Sequence, residues 1–220
     1  MSLRHALLAV LTAEPMTGYN LLRYFDGTVA YMWQAPHSQI YPELRRMEQD
    51  ELVEVQVVPR GKRAEKRVYS LTATGLAELR SWLGEPAPYA PERDPSRVRA
   101  AHFEFSSYAA ARDQLRAHHA HYTTALVAWE RMVDDLEAHR VPLLRSRLRQ
   151  RPEAEHEAIV AFKLFAFRGE AAKARTEIAW AAEGLALLDH LEQHAVPLWG
   201  ETPDETGQAE ATPEPPESGG

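Results

Sequence analysis

Apolar residues recur along the first 83 positions with two different periods, and the switch between them outlines the elements. Leu3, Leu7, Val10 and Leu11 share one face of a helix that stops at Glu14-Pro15. Thr17 is placed to cap a short second helix bearing Leu21, Leu22 and Phe25, closed by Asp26-Gly27. A third helix starts near Ser38 and runs to about Gln49 or Asp50. Pro42 is expected in its first turn, because deeper inside a helix proline removes a hydrogen bond and clashes with the preceding turn. Val53, Val55 and Val57 then alternate with Glu54 and Gln56, the period-two pattern of a strand with one buried face. Residues 59–66 are expected to form a hairpin tip and residues 67–71 the return strand. Thr72 or Thr74 should cap a fourth helix that turns Leu76, Leu79, Trp82 and Leu83 inward.

Beyond position 83 the pattern changes. Four prolines fall within residues 84–95, which reads as a stiff linker. From residue 96 the chain is rich in Ala, Arg, Glu, Leu and His, a helical composition. Tyr108, Leu115, Tyr122, Trp129, Leu136 and Leu143 recur at a spacing of seven, with Ala111, His118, Ala125, Met132 and His139 at the alternate seam positions. That row reads as a seam with Leu115, Tyr122, Trp129 and Leu136 as dimerisation residues, against the competing reading of packing inside one helical bundle. A last helix is expected from about Glu153 to His194, with Pro142 interrupting or starting the helix between. Helices of this length have more face than so small a domain can cover, which predicts a homodimer. The last residues hold almost nothing to bury and read as a disordered acidic tail. The expected architecture is mainly α. Residues 1–83 form a winged helix-turn-helix domain in the order α-α-α-β-β-α, and 84–95 a proline-rich linker. An α-helical dimerisation and effector domain with long helices covers 96–198, and the tail 199–220.

The chain has 220 residues, no cysteine and a net charge of −7. Zero cysteine excludes disulfides, thiolate nucleophiles and cysteine-ligated metal centres. Net acidity argues against a nucleic-acid partner only if it is evenly spread. It is not. Residues 1–90 hold ten basic and ten acidic residues and residues 91–200 fifteen and sixteen, while residues 201–220 hold no basic and six acidic ones. Within the neutral first part, Arg60, Lys62, Arg63, Lys66 and Arg67 crowd the hairpin, opposed by Glu65 alone.

At 100° per residue, Ile40, Leu44 and Met47 form the inner stripe of the third helix. Ser38, Pro42, Arg45 and Gln49 point away from it, flanked by Gln39 and Arg46 on one side and Tyr41 on the other. Arg and Gln can read guanine and adenine edges in a major groove, and Ser and Tyr suit phosphate. Glu43 on this face would repel phosphate unless it pairs with Arg46 or reads cytosine. A cationic, glycine-containing hairpin suits a minor groove or the phosphates beside it, so Arg60, Lys62, Arg63 and Lys66 are candidate contacts.

The ordered motifs are also familiar. Leu3-Arg4-His5-Ala6-Leu7-Leu8-Ala9-Val10-Leu11, then Glu14-Pro15-Met16-Thr17-Gly18-Tyr19, resembles the start of PadR-family transcriptional regulators. Trp33 followed by Gln39-Ile40-Tyr41-Pro42-Glu43-Leu44, then Asp50-Glu51-Leu52-Val53 and Val68-Tyr69-Ser70-Leu71-Thr72-Ala73-Thr74-Gly75, continues the likeness in order. The second part resembles the helical C-terminal domain of the longer PadR subfamily. One departure is Glu51, where the family usually places glycine; a side chain there strains a left-handed helix end. The resemblance implies a homodimeric DNA-binding regulator, usually a repressor on an inverted-repeat operator, often released by a small aromatic or drug-like effector. For such an effector the candidate pocket residues are Trp33, Phe103, Phe162 and Phe165.

Other readings compete. His118, His119 and His121 cluster, but no carboxylate sits at a metal-motif spacing, so solvated or seam histidines are the better reading and no cofactor is expected. A His-metal enzyme is the weaker alternative. A helical scaffold for protein interaction with a vestigial winged helix is the other. Arg140, Arg145, Arg147, Arg149 and Arg151 read as a bundle corner more readily than as DNA contacts. With no targeting pattern and no run of about 18 apolar residues, the expected location is the cytoplasm.

Overall fold

The structure, a computed structural model, describes residues 3–24, 37–60, 64–87 and 93–199. Their order is α1 (Leu3–Leu11), β1 (Met16–Thr17), α2 (Gly18–Tyr24), α3 (His37–Gln49), β2 (Val53–Arg60), β3 (Ala64–Leu71), α4 (Ala73–Gly84), α5 (Pro95–Ala100), α6 (Tyr108–Glu137), α7 (Pro142–Arg149) and α8 (His156–Gln193). Two compact units result: Met1–Pro91 with Tyr122–Thr176, and Glu92–His121 with Glu177–Gly220. Helices α6 and α8 each run through both, whereas the sequence alone led us to expect a linear division at the prolines.

The core of the first unit gathers Leu7, Leu8, Val10 and Leu11 of α1, Leu21 of α2, and Ile40, Leu44 and Met47 of α3, with Leu52, Val53, Tyr69 and Leu79. The three α3 residues are fully buried, as their spacing of four and three requires. Thr17 Oγ1 accepts a hydrogen bond from the Asn20 N–H at 3.2 Å and so caps α2. Thr72, rather than Thr74, caps α4, accepting from the Gly75 N–H at 2.9 Å. Pro42 differs from expectation. Helix α3 begins at His37, so Pro42 is its sixth residue, one turn deeper than predicted, and the Ser38 carbonyl loses its helical donor. Helix α3 closes with Glu51 in the left-handed region, φ 57°, while the Leu52 N–H donates to the Met47 carbonyl at 2.9 Å.

The sheet is antiparallel with order β1-β3-β2. Strand β1 was not expected; its two residues pair with Tyr69 and Val68, and two residues show no alternation to read. The hairpin is longer than its apolar alternation indicated. The ladder runs to Arg60 opposite Ala64, inside the expected tip of 59–66, and residues 61–63 lie outside the described residues. Val57 is 49% exposed, because main-chain hydrogen bonds carry this wing beyond the core that buries Val53. Leu83, expected inward, is 67% exposed at the end of α4.

In the helical part the row spaced by seven is interior to the chain. Leu115, Trp129 and Leu136 are only 3%, 4% and 2% exposed. Leu115 seats against Leu188 and Gly184, Trp129 against Ala171, Ala174 and Phe167, and Leu136 against Leu144 and Leu148. Small residues on α8 admit the large ones on α6, so the bundle reading, not an open seam, describes these three positions. Tyr122 packs half-buried beside Trp129.

Helix α7 clasps the end of α1. The Arg147 guanidinium donates to the Ala9 carbonyl at 2.6 Å and to Thr12 Oγ1 at 2.5 Å. Gln150 donates to the Ala13 carbonyl at 2.5 Å, and the Ser146 hydroxyl to the Glu14 carboxylate. Arg147 therefore satisfies orphan acceptors at a helix C-terminus. Arg140 and Arg151 pair with Asp135 and Glu155, both at 2.7 Å. Beside Arg147 lies a cavity of about 70 Å³ that Lys163 lines. Burial, reinforced by the Arg147 charge, lowers the Lys163 ammonium to about 8. Between about pH 8 and 10.5 the unfolded chain holds a proton that folded Lys163 has lost, so stability should rise with pH there, by roughly 3 kcal/mol over the window. Denaturation curves of wild type and Lys163→Met across that range check this; parallel pH profiles contradict it.

Candidate nucleic-acid interface

Helix α3 and the hairpin wall a cleft of about 840 Å³. Tyr41 and Arg45 enter it from α3, Val58, Pro59, Lys66, Arg67 and Tyr69 from the wing, Thr17 from β1, and Gly18, Tyr19 and Asn20 from the start of α2. The walls follow from local rules. Burying Ile40, Leu44 and Met47 forces Tyr41 and Arg45 outward on α3. In the register of β2 and β3, Lys66 sits opposite Val58 and Arg67 opposite Val57, past the point where the core ends.

Ser38, Gln39, Tyr41, Pro42, Arg45 and Arg46, the six residues assigned to the outer face of α3, are all exposed. Glu43 takes the first of the two roles open to it. It is largely buried, with Oε2 accepting from Arg46 at 3.0 Å and Oε1 from Arg4 at 2.9 Å. That hydrogen bond, outweighing burial, raises the Arg4 guanidinium above its ordinary value. Asp50 completes the Arg4 pairing at 2.7 Å. Arg67 pairs with Glu48 at 2.5 Å and lies over the Tyr69 ring at 5.9 Å. Arg45 and Lys66 carry no ion pair among the described residues, so their charges face solvent uncompensated. On the wing, Lys66 is exposed; Lys62 and Arg63 lie outside the described residues, as does the Arg60 side chain.

The start of α2 was missed as part of this face. Its signal is Gly18: a Cβ there would sit 2.5 Å from Tyr41 Cε1, so glycine lets the Tyr41 ring lie against α2.

The aromatic residues assigned to a small-molecule pocket do not converge. Phe162 and Phe165 are 75% and 78% exposed on α8, and Trp33 lies outside the described residues. Phe103 does line a cleft, of about 320 Å³, with Trp180, Arg99, Gln114, Leu115 and His118. Arg97 lies 4.7 Å over the Trp180 ring. It pairs with Glu177 at 3.1 Å and Asp94 at 2.5 Å, hydrogen bonds that raise its guanidinium above the ordinary value. His118 Nε2 meets Glu177 Oε2 at 3.1 Å, so one histidine of the cluster has a structural partner. Among the described residues no three His, Asp or Glu side chains converge as a metal site. No helix among them is long and apolar enough to cross a membrane.

A three-helix core with a β-hairpin wing makes the first part a winged helix-turn-helix. Residues 7–81 match the transcriptional regulator PadR-like family. A probable transcriptional regulator of Mycobacterium tuberculosis, Rv1176c, is 42% identical over 94 residues, 42% of this chain and 50% of that protein. The negative transcriptional regulator PadR of Bacillus subtilis is 36% identical over 81 residues, 37% of this chain and 44% of that protein. The chain thus spans about half the length of these relatives. Crystal structures of Bacillus subtilis PadR share the fold. The complex with operator DNA has a TM-score of 0.64 at 24% identity, covering 85% of this chain and 99% of that one. The complex with p-coumaric acid has 0.59 at 23%, covering 85% and 95%.

Gly18→Ala should swing the Tyr41 ring out of its place beside α2 while changing stability by less than about 1 kcal/mol, since the displaced group is an exposed side chain. Tyrosine ring resonances and a denaturation curve check this; an unmoved ring contradicts the contact.

Proposed function

We propose that this protein is a homodimeric DNA-binding transcriptional regulator that represses by occupying an inverted-repeat operator, with α3 in the major groove and the wing on the adjacent backbone. The observation that carries the reading is the cleft in which Arg45 and Lys66 stand without counter-charges. A guanidinium on the outer face of a recognition helix suits a guanine edge, and an exposed wing lysine suits phosphate. Glu43, already shared between Arg4 and Arg46, presents little free negative charge to phosphate. The winged-helix fold and the PadR-like segment support the same reading, as does the operator complex of the Bacillus protein. In this reading residues 1–83 bind DNA, residues 84–95 link, and residues 96–198 serve dimerisation and effector binding.

The dimer surface we assign is the outer face of α8. Phe162 and Phe165 are exposed there, and exposed Ala158, Ala161, Ala166 and Gly169 continue the face with small side chains. Two phenylalanines one turn apart amid small residues suit close helix packing against a second copy. A two-fold dimer presents its recognition helices about 34 Å apart, one turn of DNA. A planar aromatic acid is the effector class that fits the cleft between Phe103 and Trp180, with Arg99 at hand for its carboxylate.

Arg45→Ala should cost about 1–3 kcal/mol of operator binding and relax the sequence preference, whereas Lys66→Ala should weaken all sequences alike and flatten the salt slope by about one. Gel shifts on selected DNA at several salt concentrations read both, and no sequence-selective, salt-sensitive binding by the wild type would sink the proposal. Phe162→Glu with Phe165→Glu should give monomers in sedimentation without unfolding, and an intact dimer would move the interface elsewhere. p-Coumaric acid should lower operator affinity of the wild type but not of Trp180→Ala; equal responses would remove the effector from that cleft.

A further inference from the structure

An ion pair joins the wing to α3 across the candidate interface. Arg67 of β3 donates to the Glu48 carboxylate of α3 at 2.5 Å. Alternation along β3 puts Arg67 on the same face as Tyr69, and its guanidinium lies over that ring at 5.9 Å. Arg67 also lines the cleft that Arg45 and Lys66 enter. It is therefore a third cation of this cleft, but one whose charge a carboxylate already meets. Three features make that pairing exchangeable. The Arg67 and Glu48 side chains are 49% and 38% exposed, so both hydrate when they part and no buried charge is stranded. The bond uses a single nitrogen of a group with five N–H donors, and the rest of the fork has no hydrogen-bond partner among the described residues. Exposed ion pairs contribute little, whereas a phosphate offers the guanidinium two oxygens in bidentate geometry. Glu43 is the contrast: largely buried and bonded from two arginines, it stays paired.

Resting on the DNA-binding reading above, we propose that Glu48 is a built-in competitor of DNA phosphate for Arg67. In the free protein the carboxylate occupies the guanidinium. On the duplex, Arg67 exchanges Glu48 for a backbone phosphate, a contact beyond those assigned to Arg45 and Lys66. The exchange withholds affinity from every duplex alike, because a phosphate carries no base information. The geometry decides against two other roles for Glu48. A carboxylate that reads cytosine has to be free, and this one is engaged by Arg67. A tether for the wing adds little where the β2–β3 ladder and the bond from the Thr72 N–H to the Leu52 carbonyl already anchor it.

Binding of the full chain to two fluorescent duplexes, one selected from a random pool and one unrelated of equal length, would be followed by anisotropy at several sodium chloride concentrations. Glu48→Gln should tighten both duplexes by about threefold, the scale of an exposed ion pair. That gain should vanish when Glu48→Gln is combined with Arg67→Ala, because no guanidinium is left to compete for. Arg67→Ala alone should weaken both duplexes alike and flatten the salt slope by about one, and Arg67→Lys, which keeps the charge, should restore the slope. A gain from Glu48→Gln that persists without Arg67 is plain charge repulsion and overturns the exchange. So does a loss of affinity in Glu48→Gln, a changed sequence preference in any single variant, an unaltered slope in Arg67→Ala or a flat one in Arg67→Lys. Each of these, with salt-sensitive and sequence-selective binding by the wild type, removes the exchange alone. No such binding by the wild type overturns the DNA-binding reading itself, and the exchange with it.

Discussion

Helix α3 ends on Glu51 in the left-handed region, and the residue after it ties three elements together. The Leu52 N–H closes α3 on Met47, and its carbonyl accepts from the Thr72 N–H at 3.2 Å. Thr72 Oγ1 in turn donates to the Glu51 carbonyl at 2.8 Å while capping α4. A Cβ on Gly75 would come within 2.1 Å of the Leu52 oxygen, so α4 can approach only because that position has no side chain. Helix α3, the first wing strand and the helix after the wing are fixed to one another through this node. The placing of Arg45 across a cleft from Lys66 follows from it. A side chain at position 51 costs strain, but the two flanking main-chain hydrogen bonds hold the turn in place regardless.

What the sequence disclosed well was periodic and local. The stripe of Ile40, Leu44 and Met47, the exposed row opposite and the caps at Thr17 and Thr72 each depend on a few neighbouring residues. What it disclosed poorly was set by pairing across the chain. Strand β1 exists only because β3 offers it an edge. The wing is long because hydrogen bonds continue after burial stops, and apolar alternation reports burial alone. Pro42 was placed by the rule that proline avoids helix interiors, but the buried stripe of α3 outweighs the cost of an interior proline, of about 3 kcal/mol.

The row of Leu115, Tyr122, Trp129 and Leu136 carries a second lesson. A spacing of seven identifies a helix face that packs, but not what it packs against. Ala171, Ala174 and Gly184 on α8 decide that, and they lie more than about 40 residues away in sequence. Conversely, Phe162 and Phe165, the candidate pocket residues of α8, are exposed. Their neighbours on α8 turn Lys163 inward instead, a residue that composition alone assigns to the surface.

Pro42 leaves one more mark on α3. Because it has no N–H, the Ser38 carbonyl lacks its usual donor four residues on, in a turn whose side chains, Ser38 and Pro42, are both exposed. The outer face of the helix is otherwise rich in donors, from Arg45, Arg46 and Gln39. No side-chain substitution at Ser38 would restore the missing hydrogen bond; only a change at Pro42 would, so the looseness of this turn is written in its backbone.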